Sequence, residues 1–368
     1  MNVVFAGGGT GGHLYPAIAI ANALRERAAV SFIGTADRLE ATIVPKAGYA
    51  LHTVRARPLT RRFSPELLRT LFANALGTLQ SVRALLRLRP DVTIASGGYV
   101  CFPVVLAARL LRAVGMHRGP IALLEPNARP GLTNRLLAPL VDEVWGAFPE
   151  ADPAFAGKYV RTGVPVRESL RALPPRDEAR ARLGLRSDRR ILLAMGGSQG
   201  ARSINDALAA LVRSDGIPPG WQLLHVTGEK EYDRVRAALG TSGGAVRPYL
   251  HDLADAYAAA DLVLARAGAS TLGELAAIGL PAILVPYPHA AENHQAANAE
   301  RFREAGAAVV VSDRELEAGR LRSILAETAE PSRLAALAAA ARRLQPGEPV
   351  ATIIARIDAL LARRTRPT

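Results

Sequence analysis

Cysteine is almost missing from this chain: Cys101 is the only one among 368 residues. No internal disulfide can form, and the composition fits a reducing compartment. Long apolar runs are missing as well. The longest, Val100 to Ala108, is interrupted by Pro103 and falls short of the roughly 18 to 20 residues a membrane-spanning helix needs. A strand-like run directly after Met1 argues against a signal peptide, so a cytoplasmic protein is expected. Aromatics make up only 5% of the chain, and no nucleic-acid motif accompanies the basic residues, so no nucleic-acid partner is expected. No Asp-x-Asp pair or other dedicated metal-ligand set occurs. No cofactor is required by the sequence, although a bound divalent ion can assist. Acidic residues are scarce in one place above all. Between Arg55 and Arg89, eight arginines are opposed only by Glu66, and Leu59, Phe63, Leu67, Leu68, Leu71, Phe72, Leu76 and Leu79 are interleaved with them. That mixture suits an anionic membrane surface, while a solvated helix is the plainer alternative.

What is present is a regular alternation. With 49% hydrophobic residues a real core is expected. Strand-like runs at Val3–Ala6, Val30–Ile33, Val92–Ala95, Ile121–Leu124 and Glu143–Gly146 alternate with helix-like segments, and the pattern restarts at Arg190–Met195. Further runs follow at Gln222–Val226, Leu262–Ala265, Ala282–Val285 and Ala307–Val311. Such a chain predicts an α/β fold of two doubly wound Rossmann-like domains with parallel sheets. The boundaries expected are 1–161 and 162–345, with a helix in 346–368 packing back onto the first half.

Each half opens with a strand, a glycine turn and a helix: GGGTGGH at 7–13 and GGSQGAR at 196–202. Glycines let a ligand approach the main chain, and a helix N-terminus presents N–H groups to phosphate. Gly7, Gly9 and Gly12 match G-x-G-x-x-G, but the second strand ends Ile33-Gly34-Thr35-Ala36 without the acid a dinucleotide ribose requires. A third strand-to-helix turn, RAGASTLGE at 266–274, contains Thr271-x-x-Glu274. That spacing fits a capping box, and it equally sets Glu274 where a carboxylate can hold ribose hydroxyls.

Taken in order, GGGTGGHLYPA, SGGYV (96–100), EPNARPGLTNRLLA (125–138), TGVPVR (162–167), GGSQGAR, RAGASTLGELAAIGLPAILVPYPHA (266–290) and NHQAANA (293–299) resemble one family over nearly the whole chain. It is the N-acetylglucosaminyltransferase family that converts undecaprenyl-linked lipid I into lipid II in peptidoglycan synthesis. The resemblance implies the GT-B arrangement, two Rossmann-like domains facing a cleft, and a peripheral enzyme on the cytoplasmic face of the plasma membrane. It implies UDP-N-acetylglucosamine as donor, lipid I as acceptor, and room for a cell-wall synthesis complex as partner. For the donor it implies Leu250 against the uracil, Glu274 on the ribose, Arg167, Ser198 and the amides of Ala269, Ser270 and Thr271 on the diphosphate, and Gln295 and Asn298 on the sugar. For the acceptor diphosphate and its cleft it implies Thr10, Gly11, Gly12, His13, Tyr99, Asn127 and Asn134. The chain departs from the family at Leu124 and Pro126, which flank Glu125 where His and Gln are usual, and at Cys101-Phe102.

Inverting transfer to O4 of the muramoyl sugar needs a base. His13, at a helix N-terminus that disfavours its protonated form, is the first expectation, with Glu125 sharing or supporting the role. Alternatives on the same architecture are a diacylglycerol glycosyltransferase, a UDP-N-acetylglucosamine 2-epimerase and a non-catalytic membrane scaffold.

Overall fold

The computed structural model describes residues 1–58, 65–149, 152–197, 199–214, 216–240 and 244–365. It contains two parallel sheets. The first comprises β1 (Asn2–Gly7), β2 (Ala29–Gly34), β3 (Ala50–Thr53), β4 (Val92–Gly97), β5 (Ile121–Glu125), β6 (Glu143–Gly146) and β7 (Tyr159–Arg161), in the order β3-β2-β1-β4-β5-β6-β7. The second comprises β8 (Arg190–Met195), β9 (Trp221–Val226), β10 (Ala245–Arg247), β11 (Leu262–Ala265), β12 (Ala282–Leu284) and β13 (Ala308–Val310), in the order β10-β9-β8-β11-β12-β13. The central strands are continuous apolar runs because helices cover both faces. Val3, Val4, Phe5 and Ala6 of β1 are all buried, their side chains alternating between the two halves of the first core.

Strand order reverses between β1 and β4 in the first sheet and between β8 and β11 in the second. Ligand crevices of doubly wound folds lie at such switch points, beyond the strand C-termini. The turns at 7–13 and 96–100 therefore meet at one switch point, and those at 196–202 and 266–271 lie at the other.

The chain divides into two compact units: Met1–Arg167 together with the segment from Pro346 onward, and Glu168–Gln345. The first unit runs six residues past the expected boundary at 161. The reason is main-chain pairing: the N–H groups of Thr162 and Gly163 both donate to Gly146 O, and Val164 and Val166 are buried. The last helix, Pro349–Thr365, joins the first core through Ile353, Ile357 and Leu360, spaced along one helical face. Arg356 ion-pairs with Glu143 of β6, which also accepts from Trp145 Nε1 at 3.0 Å.

The helix Pro65–Leu88 has its polarity inverted. Its inner face is Thr70, Asn74, Gly77, Thr78, Ser81 and Leu85, and Asn74 exchanges hydrogen bonds with the main chain of Arg57. Gly77 is needed there, since a Cβ would lie 1.8 Å from Arg55 O. Its outer face carries Leu68 and Phe72, 70% and 71% exposed, with Leu71 and Leu79. Leu110, Val114 and Met116, on and just after the neighbouring helix Cys101–Ala113, are exposed too. Leu59, Arg61, Arg62 and Phe63 of the basic-apolar stretch lie outside the described residues. Among the described residues no helix is long and apolar enough to cross a membrane.

Candidate active site

At the first switch point the chain leaves β1 through Gly8 and Gly9, the latter at φ +84°, and enters the helix Gly11–Leu24 with Thr10 as N-cap. Several glycines here make room for the protein's own side chains. A Cβ on Gly7 would lie 1.9 Å from Ser96 Oγ, and one on Gly97 would lie 2.3 Å from His13 Nδ1. The His13 imidazole is thus pressed onto the turn Gly97-Gly98, both at positive φ, while Tyr99 lies beside Gly9. Thr10 is exposed, and Gly11, Gly12 and His13 are half-buried.

At the end of β5, Glu125 is buried and collects donors from Asn127, Asn134 and the Gly131 main chain. Asn127 N and Nδ2 reach Oε1, each at 3.0 Å, and Asn134 Nδ2 reaches Oε2 at 2.8 Å. Burial pushes its carboxyl up to about 7, against the pull of those hydrogen bonds. A carboxylate of that basicity can hold or take a proton near neutral pH. A small cavity behind it is lined by Gly12, Ser96, Leu124, Pro126, Trp145 and Pro165 among others. His13, Tyr99, Glu125, Asn127 and Asn134 therefore share the C-terminal edge of one sheet. Arg167 belongs to this unit as well, with its guanidinium 4.8 Å over the ring of Tyr15.

At the second switch point Gly196, Gly197 and Gly200 form the turn. A Cβ on Gly200 would lie 2.1 Å from Thr227 O, and one on Gly196 would lie 2.1 Å from Ala201 N. Ser198 lies outside the described residues. The helix Ala269–Ile278 begins with Gly268 as N-cap and no side-chain cap. The capping box is thereby overturned: Thr271 is already inside the helix, and Glu274 lies a further turn on. Glu274 is only 4% exposed and accepts from Tyr257 OH at 2.8 Å. Ser270 Oγ is buried and has no hydrogen-bond partner among the described residues. Arg266 ties the edge together, pairing with Asp313 and donating to Ser203 Oγ and Val285 O. Gln295 Oε1 accepts from Tyr287 N at 2.9 Å, which leaves its Nε2 to point elsewhere. Asn298 is fully buried, with Nδ2 donating to Ala267 O, and Leu250 is half-buried after β10. Among the described residues no group of three His, Cys, Asp or Glu side chains is placed to hold a metal ion.

The N-terminal domain of glycosyltransferase family 28 matches residues 3–145, and its C-terminal domain matches residues 191–356. This chain belongs to glycosyltransferase family 28. A relative from Moorella thermoacetica is 45% identical over 94% of this chain and 96% of its own length; it is named a UDP-N-acetylglucosamine–N-acetylmuramyl-(pentapeptide) pyrophosphoryl-undecaprenol N-acetylglucosamine transferase. A relative of the same name from Desulforudis audaxviator is 41% identical, with both chains covered completely. The crystal structure of Acinetobacter baumannii MurG superposes with a TM-score of 0.76 at 26% identity, over 97% of this chain and 99% of that one. A UDP-N-acetylglucosamine 2-epimerase from Neisseria meningitidis shares the fold, at 13% identity and a TM-score of 0.65.

One residue of the first edge escaped sequence reasoning. Glu40 stands six positions beyond the end of β2, where a dinucleotide site would carry its acid, and it is 1% exposed beneath the glycine loop. The only signal was a glutamate just after an apolar strand, in a stretch that reads as exposed loop.

Proposed function

We propose that this chain transfers N-acetylglucosamine from UDP-N-acetylglucosamine to O4 of the N-acetylmuramoyl sugar of undecaprenyl-pyrophosphoryl-MurNAc-pentapeptide, with inversion, yielding lipid II. The full-length identity to transferases of that name carries the proposal. The residues divide the work by chemistry. His13, pressed on the Gly97-Gly98 turn, and Glu125, with a carboxyl near 7, are the groups that take the O4 proton. Asn127 and Asn134 hold Glu125, and Thr10, Gly11, Gly12 and Tyr99 receive the acceptor diphosphate and sugar.

On the donor side, Glu274 takes the ribose hydroxyls, with Tyr257 fixing its carboxylate, and Leu250 flanks the base. Ser198, Arg167, the Ser270 hydroxyl, without a partner among the described residues, and the helix start at Ala269–Thr271 stabilise charge on the departing diphosphate. Gln295 offers its amide N–H groups to the sugar, since its oxygen is engaged, and Asn298 shapes that pocket from beneath.

The enzyme works at the cytoplasmic face of the membrane, docked by the outward Leu68, Leu71, Phe72 and Leu79 with the exposed arginines 69, 83 and 87 around them. A cell-wall synthesis complex is a fitting partner at that surface. Incubating the purified protein with labelled UDP-N-acetylglucosamine and the undecaprenyl-pyrophosphoryl acceptor tests the reaction. Labelled lipid is the expected product; free N-acetylmannosamine, or label on diacylglycerol, would replace the proposal with one of its rivals.

A further inference from the structure

We infer that Glu40 is a positioning residue, a buried carboxylate that braces the glycine loop 7–13 and through it the placement of His13. The helix Leu39–Lys46 carries Glu40 in its first turn, where the helix dipole favours an anion. Yet the side chain turns inward. Its Oε2 accepts from Gly9 N at 2.8 Å, and its Oε1 accepts from Thr35 N at 3.0 Å and Thr35 Oγ1 at 2.6 Å. No Lys, Arg or His ion-pairs with it among the described residues. A buried charge held by three donors and no cation is costly unless those donors are all spent on it.

Two glycines owe their identity to this carboxylate. A Cβ on Gly8 would lie 2.3 Å from Glu40 Oε1, and one on Gly34 would lie 2.7 Å from Glu40 Cγ. By drawing the Gly9 N–H inward, Glu40 sets Gly9 at its positive φ and fixes where the next residues begin their helix. His13 lies four residues on, its ring held against Gly97 and Gly98 with little slack. A loop freed from Glu40 would move the imidazole and the loop amides together. The donor edge, which lies in the other compact unit, shares no described hydrogen bond with Glu40.

The kinetic consequence rests on the transfer reaction proposed above; the brace itself does not. Glu40→Gln in the full chain turns one acceptor oxygen into a donor facing either Gly9 N–H or Thr35. The expected result is a kcat at least about tenfold lower, the scale of a lost hydrogen bond to a charged group, with acceptor KM raised. Donor KM should stay within about twofold. Amide hydrogen exchange, which needs no turnover, should accelerate in a peptide spanning 7–13 and stay unchanged at 196–202. Should Glu40→Gln not fold, Thr35→Val removes one donor alone and should give the same pattern in milder form, with Thr35→Ser restoring the parent. Kinetics and loop exchange within about twofold of the parent would overturn the brace, as would donor and acceptor KM rising together with exchange raised in both units. A parent that forms no lipid product but whose loop exchange responds to Glu40→Gln would sink the reaction and leave the brace standing.

Discussion

The two glycine turns occupy equivalent switch points of two similar sheets, yet they are packed in different ways. In the first, side chains fill the space the glycines leave: Ser96 at Gly7, Glu40 at Gly8 and His13 at Gly97. In the second, main chain fills it: Ala201 N at Gly196 and Thr227 O at Gly200. The first edge thus has titratable groups in its floor, and Glu125 adds a carboxyl poised near 7. The second edge offers helix starts, hydroxyls and one carboxylate already engaged by Tyr257. Under the proposed reaction, a pattern that reads alike in sequence would serve proton transfer in one half and anion binding in the other.

That division can be broken by mutation. His13→Ala should lower kcat by ~10²-fold or more while UDP binding stays intact, checked by steady-state kinetics beside nucleotide titration. A UDP affinity lost in step with kcat would erase the contrast. Glu125 is protonated below about 7 because burial disfavours its charge, so kcat/KM should rise with pH through that value. In Glu125→Gln the rate should be at least about tenfold lower and that limb should vanish; a limb that persists belongs to another group. On the other edge, Glu274→Ala should raise donor KM by roughly tenfold with a smaller change in kcat, and an unchanged donor KM would remove it from the ribose. Smallest of all, Phe72→Ser should weaken co-sedimentation with anionic vesicles by a few-fold and leave turnover in detergent unchanged. Equal binding of the parent to neutral vesicles would discount the arginines around it.

Much of the fold was legible because parallel strands buried on both faces are uninterrupted apolar runs. The central strands of both sheets were found within a residue or two. Those that escaped, β3, β7 and β10, are all sheet edges of three or four residues, half exposed and without a continuous apolar signal. The capping box at Thr271 failed because the N-cap lies three residues earlier, at Gly268, and carries no side-chain cap. The helix Pro65–Leu88 was legible in its composition but not in its orientation. On its inner face Asn74 binds the main chain of Arg57, while Thr78 and Ser81 donate back to the carbonyls of Asn74 and Gly77 in their own helix.

By itself, the order of residues determined two parallel-sheet halves, the turns that start their helices and the family to which they belong. Each of these is written in contiguous runs whose preference is local. Only the tertiary structure decided that Gly8 is vacant for Glu40, that His13 lies on Gly97, that Asn134 reaches Glu125 and that the last helix closes the first core. Those are contacts between distant positions, and their energy comes from burial and hydrogen bonding that no single segment contains.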